Sequence, residues 1–412
     1  MNRILLLSCL LTIPLFVGCH SAPDHSALIE ETFIQSGLPL AVLGASTPDG
    51  TEQFESFSTD GQVGPDSVFE IASMTKAVTA TAVMQLVEAG RIDLDAPVAR
   101  YLPEIKQIGI LNEDLSTRPG TRPITMRQLL SHTAGFGYFF NSPRIARAVE
   151  WDPNGMSWPE PERIAEGEYD WGWGQQPRRL FEAGERWHYG RNIGVAGTVV
   201  ERVSGMDLDR YCRKHIFTPL GMDRTGYNLP EHILEDQVPM FIRNPATGDW
   251  MPIPSMRTGP RERFYGGGGL LSTPHDYLRF LTCLARGGTL DGVRILTESS
   301  VDTFFFTNQL PEGRTIEHWE DDPLHRRPDQ PQRSFFDDQD TFSLAWAIEA
   351  NPDEPGNRPQ GVGYWSGLFN TYYTIDRTRG VVVVAFMQLL PFNDAMAYEL
   401  YRVHEDRVYD EL

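Results

Sequence analysis

A serine and a lysine one helical turn apart constrain this chain more than any other feature of its 412 residues. Ser73-Met74-Thr75-Lys76 opens a run of small and apolar residues that continues to Ala89 and stops at Gly90. Apolar residues lie nearly all round the predicted helix, so we expect it to be buried. Glycine is typical just after a helix end. Because positions i and i+3 share a helix face, Ser73 and Lys76 are predicted to lie side by side.

The lysine at position 76 indicates a specific chemistry. Only Lys106 and Lys214 accompany it, and arginine carries the rest of the basic charge. Arginine stays protonated in proteins, whereas a buried lysine can lose its proton and act as a base. Backbone N–H groups at the helix start could stabilise an oxyanion beside Ser73. The pattern predicts a nucleophilic serine with a lysine base. Alone, the four letters also fit a capping serine and a surface lysine.

The charge and the missing motifs exclude several functions. A formal net charge of −20 disfavours binding to nucleic acid and electrostatic docking on anionic lipid. No C-x-x-C and no H-E-x-x-H occurs in the sequence, so we predict no metal site and no cofactor. Small neutral or weakly charged substrates remain open, and the predicted nucleophilic serine indicates a small-molecule ester or amide substrate among them.

Residues 1–18 are predicted to be a leader rather than part of the fold. Arg3 precedes an apolar stretch from Ile4 to Val17 that is too short to span a membrane. Leu15-Phe16-Val17-Gly18-Cys19 resembles a lipoprotein cleavage site, and an ordinary signal peptide is the alternative. With cleavage there, we expect a lipid on Cys19 and a periplasmic protein tethered to the outer membrane.

Two cysteines remain after the leader. Cys212 and Cys283 both lie in predicted helices, and the sequence cannot place them close enough to bond. We interpret them as free buried thiols, with a disulfide as the alternative.

The order of the predicted elements indicates an α/β protein of the α+β type. Strands come first, helices in the middle and strands last, which predicts an antiparallel sheet flanked by helices with an inserted all-helical region. We expect one domain over residues 19–412. Its sheet part spans roughly 26–72 and 265–412, and its helical part roughly 77–264. The principal predicted elements are helices at Ser26–Gln35, Ser73–Ala89, Met126–Leu130 and Asn192–Val203 and strands at Leu38–Thr47, Glu52–Ser58, Phe342–Ala350, Tyr372–Ile375 and Val381–Gln388.

Two long irregular segments are predicted to be loops. Trp151–Trp173 contains four tryptophans among Pro and Gly, and we interpret it as an aromatic pocket wall or as plain packing of a loop. Leu310–Asp338 is charged and Pro-rich and is expected to be a mobile surface loop.

Further motifs follow the serine and the lysine in a set order. They are Ser131-His132-Thr133-Ala134-Gly135-Phe136, Trp187-His188-Tyr189-Gly190-Arg191-Asn192, Pro219-Leu220-Gly221-Met222, Gly267-Gly268-Gly269-Leu270-Leu271-Ser272-Thr273 and Tyr364-Trp365-Ser366-Gly367-Leu368. In order and separation they resemble the serine β-lactamase and penicillin-binding-protein superfamily. Within it, the chain is most similar to the class C β-lactamase group and the family VIII carboxylesterases.

The resemblance implies a role for each matching residue. Ser73 would be the acylated nucleophile, Lys76 the base that takes its proton, and Tyr189 the group that passes this proton to the leaving group. The backbone N–H groups of Ser73 and Leu368 would form the oxyanion hole. His132 would be a structural residue in a tight turn. Without the motifs around it, Tyr189 would be interpreted as a half-buried aromatic at a helix start.

Two departures from the superfamily pattern bear on the substrate. Where lactamases and peptidases carry Lys-Thr-Gly, this chain carries Trp365-Ser366-Gly367, expected to contact the substrate. An indole cannot pair with a carboxylate but can wall an apolar group. Arg191 stands where asparagine is common, and Asn192 follows it. Both are candidate substrate-binding residues, although Arg191 also fits a surface position.

The expected function is a carboxylesterase that acts on small esters through an acyl-enzyme. A β-lactamase or a D-Ala-D-Ala carboxypeptidase or D-aminopeptidase with an atypical carboxylate site is the alternative. A non-catalytic binding protein is a third hypothesis, disfavoured because Ser73, Lys76 and Tyr189 are all present.

Overall fold

A seven-stranded antiparallel sheet joins the two ends of the described chain. The computed structural model describes residues 25–59, 63–149, 178–244, 247–255, 259–316, 335–337, 339–353 and 358–412. From one edge to the other, the strands are Thr341–Phe342, Ala347–Ile348, Gly363–Gly367, Thr371–Asp376, Val381–Phe386, Leu40–Ser46 and Glu52–Ser58. Each neighbouring pair is antiparallel.

Both faces of this sheet are covered. The strand Val381–Phe386 is buried at every position, and because its side chains alternate between faces, each face must pack against another layer. On one face, Tyr373 packs against Tyr277 of the helix Pro274–Ala285. On the other face, Tyr372 stacks on Tyr401 of the C-terminal helix.

Helices fill the middle of the chain and close both faces of the sheet. The α-helices are His25–Ser36, Thr75–Glu88, Met126–Leu130, Pro143–Ala148, Asn192–Ser204, Leu208–Cys212, Thr218–Leu220, Glu231–Leu234, Pro274–Ala285, Glu298–Phe305 and Ala395–Asp410. The 3-10 and π-helical turns are Ala72–Met74, Val98–Arg100, Pro103–Gln107, Phe139–Asn141 and Arg213–Phe217. Short strands outside the main sheet are Phe69–Glu70, Ile110–Leu111, Thr117–Arg118, Met240–Arg243, Trp250–Ile253, Leu271–Ser272, Thr289–Leu290, Val293–Arg294 and Leu389–Leu390. The predicted fold class is confirmed.

One predicted strand is divided in two. Residues 342–350 were expected to form a single strand, but the chain turns between Thr341–Phe342 and Ala347–Ile348. The hydroxyl of Ser343 accepts hydrogen bonds from the N–H groups of Ala345 and Trp346, both at 3.0 Å. Serine favours such turns because its side chain competes with the backbone for hydrogen bonds. Alternation alone does not reveal this turn.

The helix Thr75–Glu88 lies at the centre of the helical region. Eleven of its residues, Thr75 to Met84 and Leu86, are buried, as its apolar sequence predicts. It packs against the helix Asn192–Ser204, so the two helices that follow the Ser73 and Tyr189 motifs are neighbours.

Other expectations have different outcomes. Cys212 and Cys283 are free and buried, as predicted. Within the described ranges, no helix is long and apolar enough to cross a membrane.

The leader, Cys19 and the tryptophan-rich segment Trp151–Trp173 lie outside the described residues. Only the ends of Leu310–Asp338 are described, and they include the buried residues Ile316, Phe335 and Phe336.

Candidate active site

Ser73 lies in a tight turn immediately before the central helix. The turn Ala72–Met74 is 3-10 helical and leads directly into Thr75–Glu88. Ala72 has a φ of +41°, in a region that residues other than glycine rarely occupy. The surrounding structure therefore imposes this conformation on the residue before the serine. Ser73 itself is half-buried, so its hydroxyl remains accessible.

The amine of Lys76 lies 2.9 Å from the Ser73 Oγ and donates to the Gly267 carbonyl oxygen at 2.6 Å. The side chain is 1% exposed. Burial holds the pKa of Lys76 well below its usual value, because the charged form loses its hydration. Within the described part of the chain, no carboxylate forms an ion pair with it. A neutral amine that faces a hydroxyl can accept the hydroxyl proton.

Tyr189 meets the serine from the other side. Its hydroxyl donates to the Ser73 Oγ at 2.7 Å, and its ring centroid is 4.8 Å from the Lys76 Nζ. Burial raises the pKa of Tyr189, although its hydrogen bonds with Ser73 and Trp365 partly offset the rise. The phenol therefore stays protonated at rest and can donate a proton.

His132 holds the segment around Tyr189 in place. Its Nδ1 accepts from the Gly190 N–H at 3.3 Å and lies 3.0 Å from the Asn192 amide nitrogen. Burial holds the pKa of His132 well below the usual value, so the ring stays neutral. A Cβ at Gly190 would lie 2.1 Å from the Phe136 carbonyl oxygen, so only glycine permits this close packing.

The predicted substrate contact of Asn192 needs correction. Its side chain is fully buried, and besides His132 its amide donates to the carbonyl oxygens of Phe136 and His188, at 3.3 and 3.4 Å. The amide is used inside the protein, where it fixes the loop that carries Tyr189.

The strand Gly363–Gly367 brings Leu368 to the serine turn. A Cβ at Gly367 would lie 2.4 Å from the Ile71 carbonyl oxygen, so the missing side chain allows the strand end to approach that turn. Leu368 packs in the same small apolar cluster as Ala72. This places the strand end beside Ser73, as an oxyanion hole requires.

The strand's side chains divide between the two faces of the sheet. Trp365 lies opposite Tyr373 in the ladder, and Ser366 lies opposite Tyr372. Residues directly opposite share a face, so Ser366 points with Tyr372 toward the C-terminal helix. The Ser366 side chain, which was predicted to contact the substrate, therefore lies on the opposite face of the sheet from Trp365.

Trp365 lies beside the phenol of Tyr189. Its ring centroid is 5.2 Å from that of Tyr189, and its side chain hydrogen-bonds to Tyr189. Phe335, Phe336 and Phe342 surround the indole, with centroid distances of 5.3 to 6.0 Å. An aromatic cluster occupies the place where lactamases carry lysine.

Arg191 is half-buried and lies against another tyrosine. Its guanidinium carbon is 5.3 Å from the ring centroid of Tyr265 and its side chain hydrogen-bonds to that residue. The Tyr265 hydroxyl lies 3.1 Å from that of Tyr138, whose ring is 5.7 Å from the Lys76 Nζ. Arg191 therefore points along the edge of the site rather than away from the protein.

Comparison with known proteins decides the family. The Beta-lactamase family model matches residues 29–407. The chain belongs to the β-lactamase family. This family membership confirms the superfamily resemblance and the enzyme class at the level of a serine hydrolase or acyltransferase fold.

Relatives within the β-lactamase family include enzymes of ester chemistry. Monacolin J acid methylbutanoyltransferase of Aspergillus terreus is 29% identical over 84% of this chain and 82% of its own length. Lovastatin esterase of Penicillium rubens is 31% identical over 60% of this chain and 61% of its own length. A simvastatin synthase mutant from Aspergillus terreus superimposes with a TM-score of 0.79 at 25% identity, covering 94% of this chain and 95% of its own.

The sequence motifs missed one residue of this β-lactamase-family site. The Gly267 carbonyl accepts from Lys76, and the Tyr265 ring lies against Gly267, but the sequence motif includes only the glycines. A signal was present, since Tyr265 stands immediately before four consecutive glycines, and a large side chain beside such a run often packs over it.

Proposed function

We propose that this chain is a serine hydrolase that forms an acyl-enzyme on Ser73 and hydrolyses small carboxylic esters. One observation carries the proposal: the Ser73 Oγ lies 2.9 Å from the buried Lys76 amine and 2.7 Å from the buried Tyr189 hydroxyl. Among the described residues, no carboxylate pairs with that amine. Such a pair can take the serine proton and return one to the leaving group.

The proposed acylation step uses Lys76, Ser73 and Tyr189 in turn. Neutral Lys76 takes the Ser73 proton while Oγ attacks the ester carbonyl, and the N–H groups of Ser73 and Leu368 stabilise the oxyanion. Tyr189 then protonates the departing alkoxide and recovers a proton from Lys76. In deacylation, Lys76 and Tyr189 take a proton from a water molecule that attacks the acyl carbonyl, and a proton returns to the Ser73 Oγ.

The Trp365 indole supports esters over β-lactams and D-alanyl peptides. Those substrates carry a carboxylate that a lysine at this position would bind, and an indole provides no charge for it. Burial of Trp365 among three phenylalanines also favours a substrate with an apolar group.

Acyl transfer to an alcohol is the second candidate. The related methylbutanoyltransferase favours it, and the burial of Lys76 and Tyr189 restricts the access of water to the groups that activate the acceptor. The chemistry is the same with an alcohol in the place of water.

Steady-state turnover of p-nitrophenyl butyrate and nitrocefin, measured side by side, tests the proposal. We expect turnover of the ester, little of nitrocefin, and loss of both with Ser73→Ala. Adding a primary alcohol and quantifying the new ester separates hydrolysis from transfer. Ester turnover that survives Ser73→Ala would refute the acyl-enzyme, and preferred turnover of nitrocefin would refute the ester assignment.

We also propose that the protein is exported and carries a lipid on Cys19. The support is the leader-like composition of residues 1–18 and the sequence before the cysteine. Metabolic labelling with a radioactive fatty acid should mark the full chain but not Cys19→Ala, and equal labelling of the two would exclude the anchor.

A further inference from the structure

Tyr265 begins a turn of glycines that supplies the acceptor for Lys76. The Gly268 N–H donates to the Tyr265 carbonyl oxygen at 3.0 Å, which closes the turn. Within it, the Gly266 carbonyl accepts from the Thr79 hydroxyl at 2.7 Å, and the Gly267 carbonyl accepts from Lys76 at 2.6 Å. Thr79 and Lys76 are three residues apart on one helix face, so the central helix binds the turn at two points.

The Tyr265 ring lies over this turn. A Cβ at Gly267 would lie 2.7 Å from the ring atom Cε1, so the ring rests directly on the residue whose carbonyl orients Lys76. The side chain is only half-buried, and its position is fixed by these contacts rather than by enclosure in the core.

The same ring contacts the helix that follows Tyr189. A Cβ at Gly194 would lie 2.1 Å from Cε2 of Tyr265, so that helix allows the ring close approach only because glycine stands there. Two glycines thus accommodate one ring, one on the Lys76 side and one on the Tyr189 side.

We propose that Tyr265 is a positioning residue that sets the distance between the Gly267 carbonyl and Lys76 and links it to the helix behind Tyr189. It touches neither the serine nor the substrate carbonyl and acts through its ring. The inference rests on the proposed function, because it assumes that Lys76 activates Ser73.

The rate of Ser73 modification by a fluorophosphonate tests the inference without knowledge of the natural substrate. Oγ forms a bond to phosphorus, fluoride departs with the P–F electron pair, and the serine proton passes to Lys76. We would measure this rate against pH for the wild type, Tyr265→Ala, Tyr265→Phe and the control Phe264→Ala. Phe264 is the adjacent half-buried aromatic and packs on Tyr227 instead.

Tyr265→Ala should lower the rate by about 100-fold, the size expected when a catalytic group shifts by about 1 Å. Its acidic limb should also move to higher pH, because water that reaches Lys76 restores a more ordinary pKa. Tyr265→Phe keeps the ring and should lose no more than about tenfold, the value of one hydrogen bond. Phe264→Ala should leave the limb in place.

Other outcomes would refute the inference. If Tyr265→Ala melts earlier but keeps the wild-type rate and limb, the ring is only structural. If Tyr265→Phe is as slow as Tyr265→Ala, the hydroxyl rather than the ring is responsible, and the inference is wrong. A folded wild type that is not labelled at all would instead refute the proposed function.

Discussion

Two buried basic side chains, Lys76 and Arg358, lie on opposite sides of the strand Gly363–Gly367, and they differ in their partners. Lys76 contacts a hydroxyl and a backbone carbonyl. Arg358 forms an ion pair with Glu405 at 2.8 Å and lies 4.2 Å from the ring centroid of Tyr364. Both are at most 5% exposed.

The partner decides what burial does to the charge. Burial holds the pKa of Lys76 well below its usual value. Burial is the largest single influence on Arg358 and acts against its charge, but Glu405 and the surrounding tyrosines together outweigh burial and raise the pKa of the guanidinium. A basic side chain that is buried among neutral dipoles loses its proton and can act as a base. One that is buried beside a carboxylate keeps its charge and forms a structural ion pair. The comparison explains why lysine is needed at one position and arginine at the other.

Replacement of Lys76 by arginine should have the largest effect on activity. Lys76→Arg places a permanently charged group beside Ser73, so no base remains, and kcat/KM should fall by about 10²- to 10⁴-fold. Ester hydrolysis measured with Lys106→Arg as the control checks this, since Lys106 is exposed. Retention of most activity in Lys76→Arg would mean that Lys76 is not the base.

Removal of the structural partner should act on stability instead. Glu405→Gln leaves Arg358 and Arg402 without their buried carboxylate, so the free energy of unfolding should fall by about 3 to 5 kcal/mol. Urea denaturation measures this, and kcat of the folded fraction should change little. The matched control Glu298→Gln breaks an exposed pair with Arg377 and should cost less than about 1 kcal/mol. Equal losses in the two variants would contradict the comparison.

Acidification should separate the two sites. Activity requires neutral Lys76, so kcat/KM should be retained above its lowered pKa and fall about tenfold per pH unit below it. Between that pKa and the usual 10.5, the unfolded chain binds more protons at Lys76, so this group makes the free energy of unfolding rise with pH.

The ion pair behaves differently in acid. Burial acts to raise the pKa of Glu405, but Arg358, Arg402 and the Thr374 hydroxyl together outweigh it and lower the pKa from its usual 4.5. Its contribution to stability is present above 4.5 and is lost only as pH falls through the lowered value. Circular dichroism recorded together with activity, as the pH is lowered toward 4.5, should therefore report a folded protein that loses activity. Loss of both signals at one pH would contradict this separation.

The smallest effect is expected at the indole beside Tyr189. Trp365→Phe keeps an aromatic wall but removes the N–H donor, so kcat should fall by roughly two- to tenfold, the value of one hydrogen bond. Thermal unfolding serves as its control. A kcat equal to that of the wild type would show that the indole contributes apolar contacts but no functional hydrogen bond.

Several features of the site could be predicted because they are local. The three-residue spacing of Ser73 and Lys76 gives one helix face, and the apolar residues around it give burial, which the helix Thr75–Glu88 has. The strands Leu40–Ser46 and Val381–Phe386 were predicted from strand-like residue patterns beside turn residues. The role of Tyr189 was predicted from the order of the motifs along the chain.

Features that depend on distant contacts could not be predicted. Nothing near Asn192 indicates that His132, sixty residues earlier, would take up its amide. The face on which Ser366 lies depends on its register with Tyr372. The alternation of a strand shows that neighbouring residues differ in face, not which face meets the site.

The sequence by itself therefore predicted the candidate nucleophile and its candidate base and pointed to the family, because these depend on residue types at short or ordered spacings. Only the tertiary structure decided that Lys76 is buried without a carboxylate partner among the described residues, that Arg191 lies along the site edge, and that Tyr265 packs on two glycines 73 residues apart. The physical reason is that a pKa, a pocket wall and a close packing contact depend on what the rest of the chain brings to a residue, and those neighbours are remote in sequence.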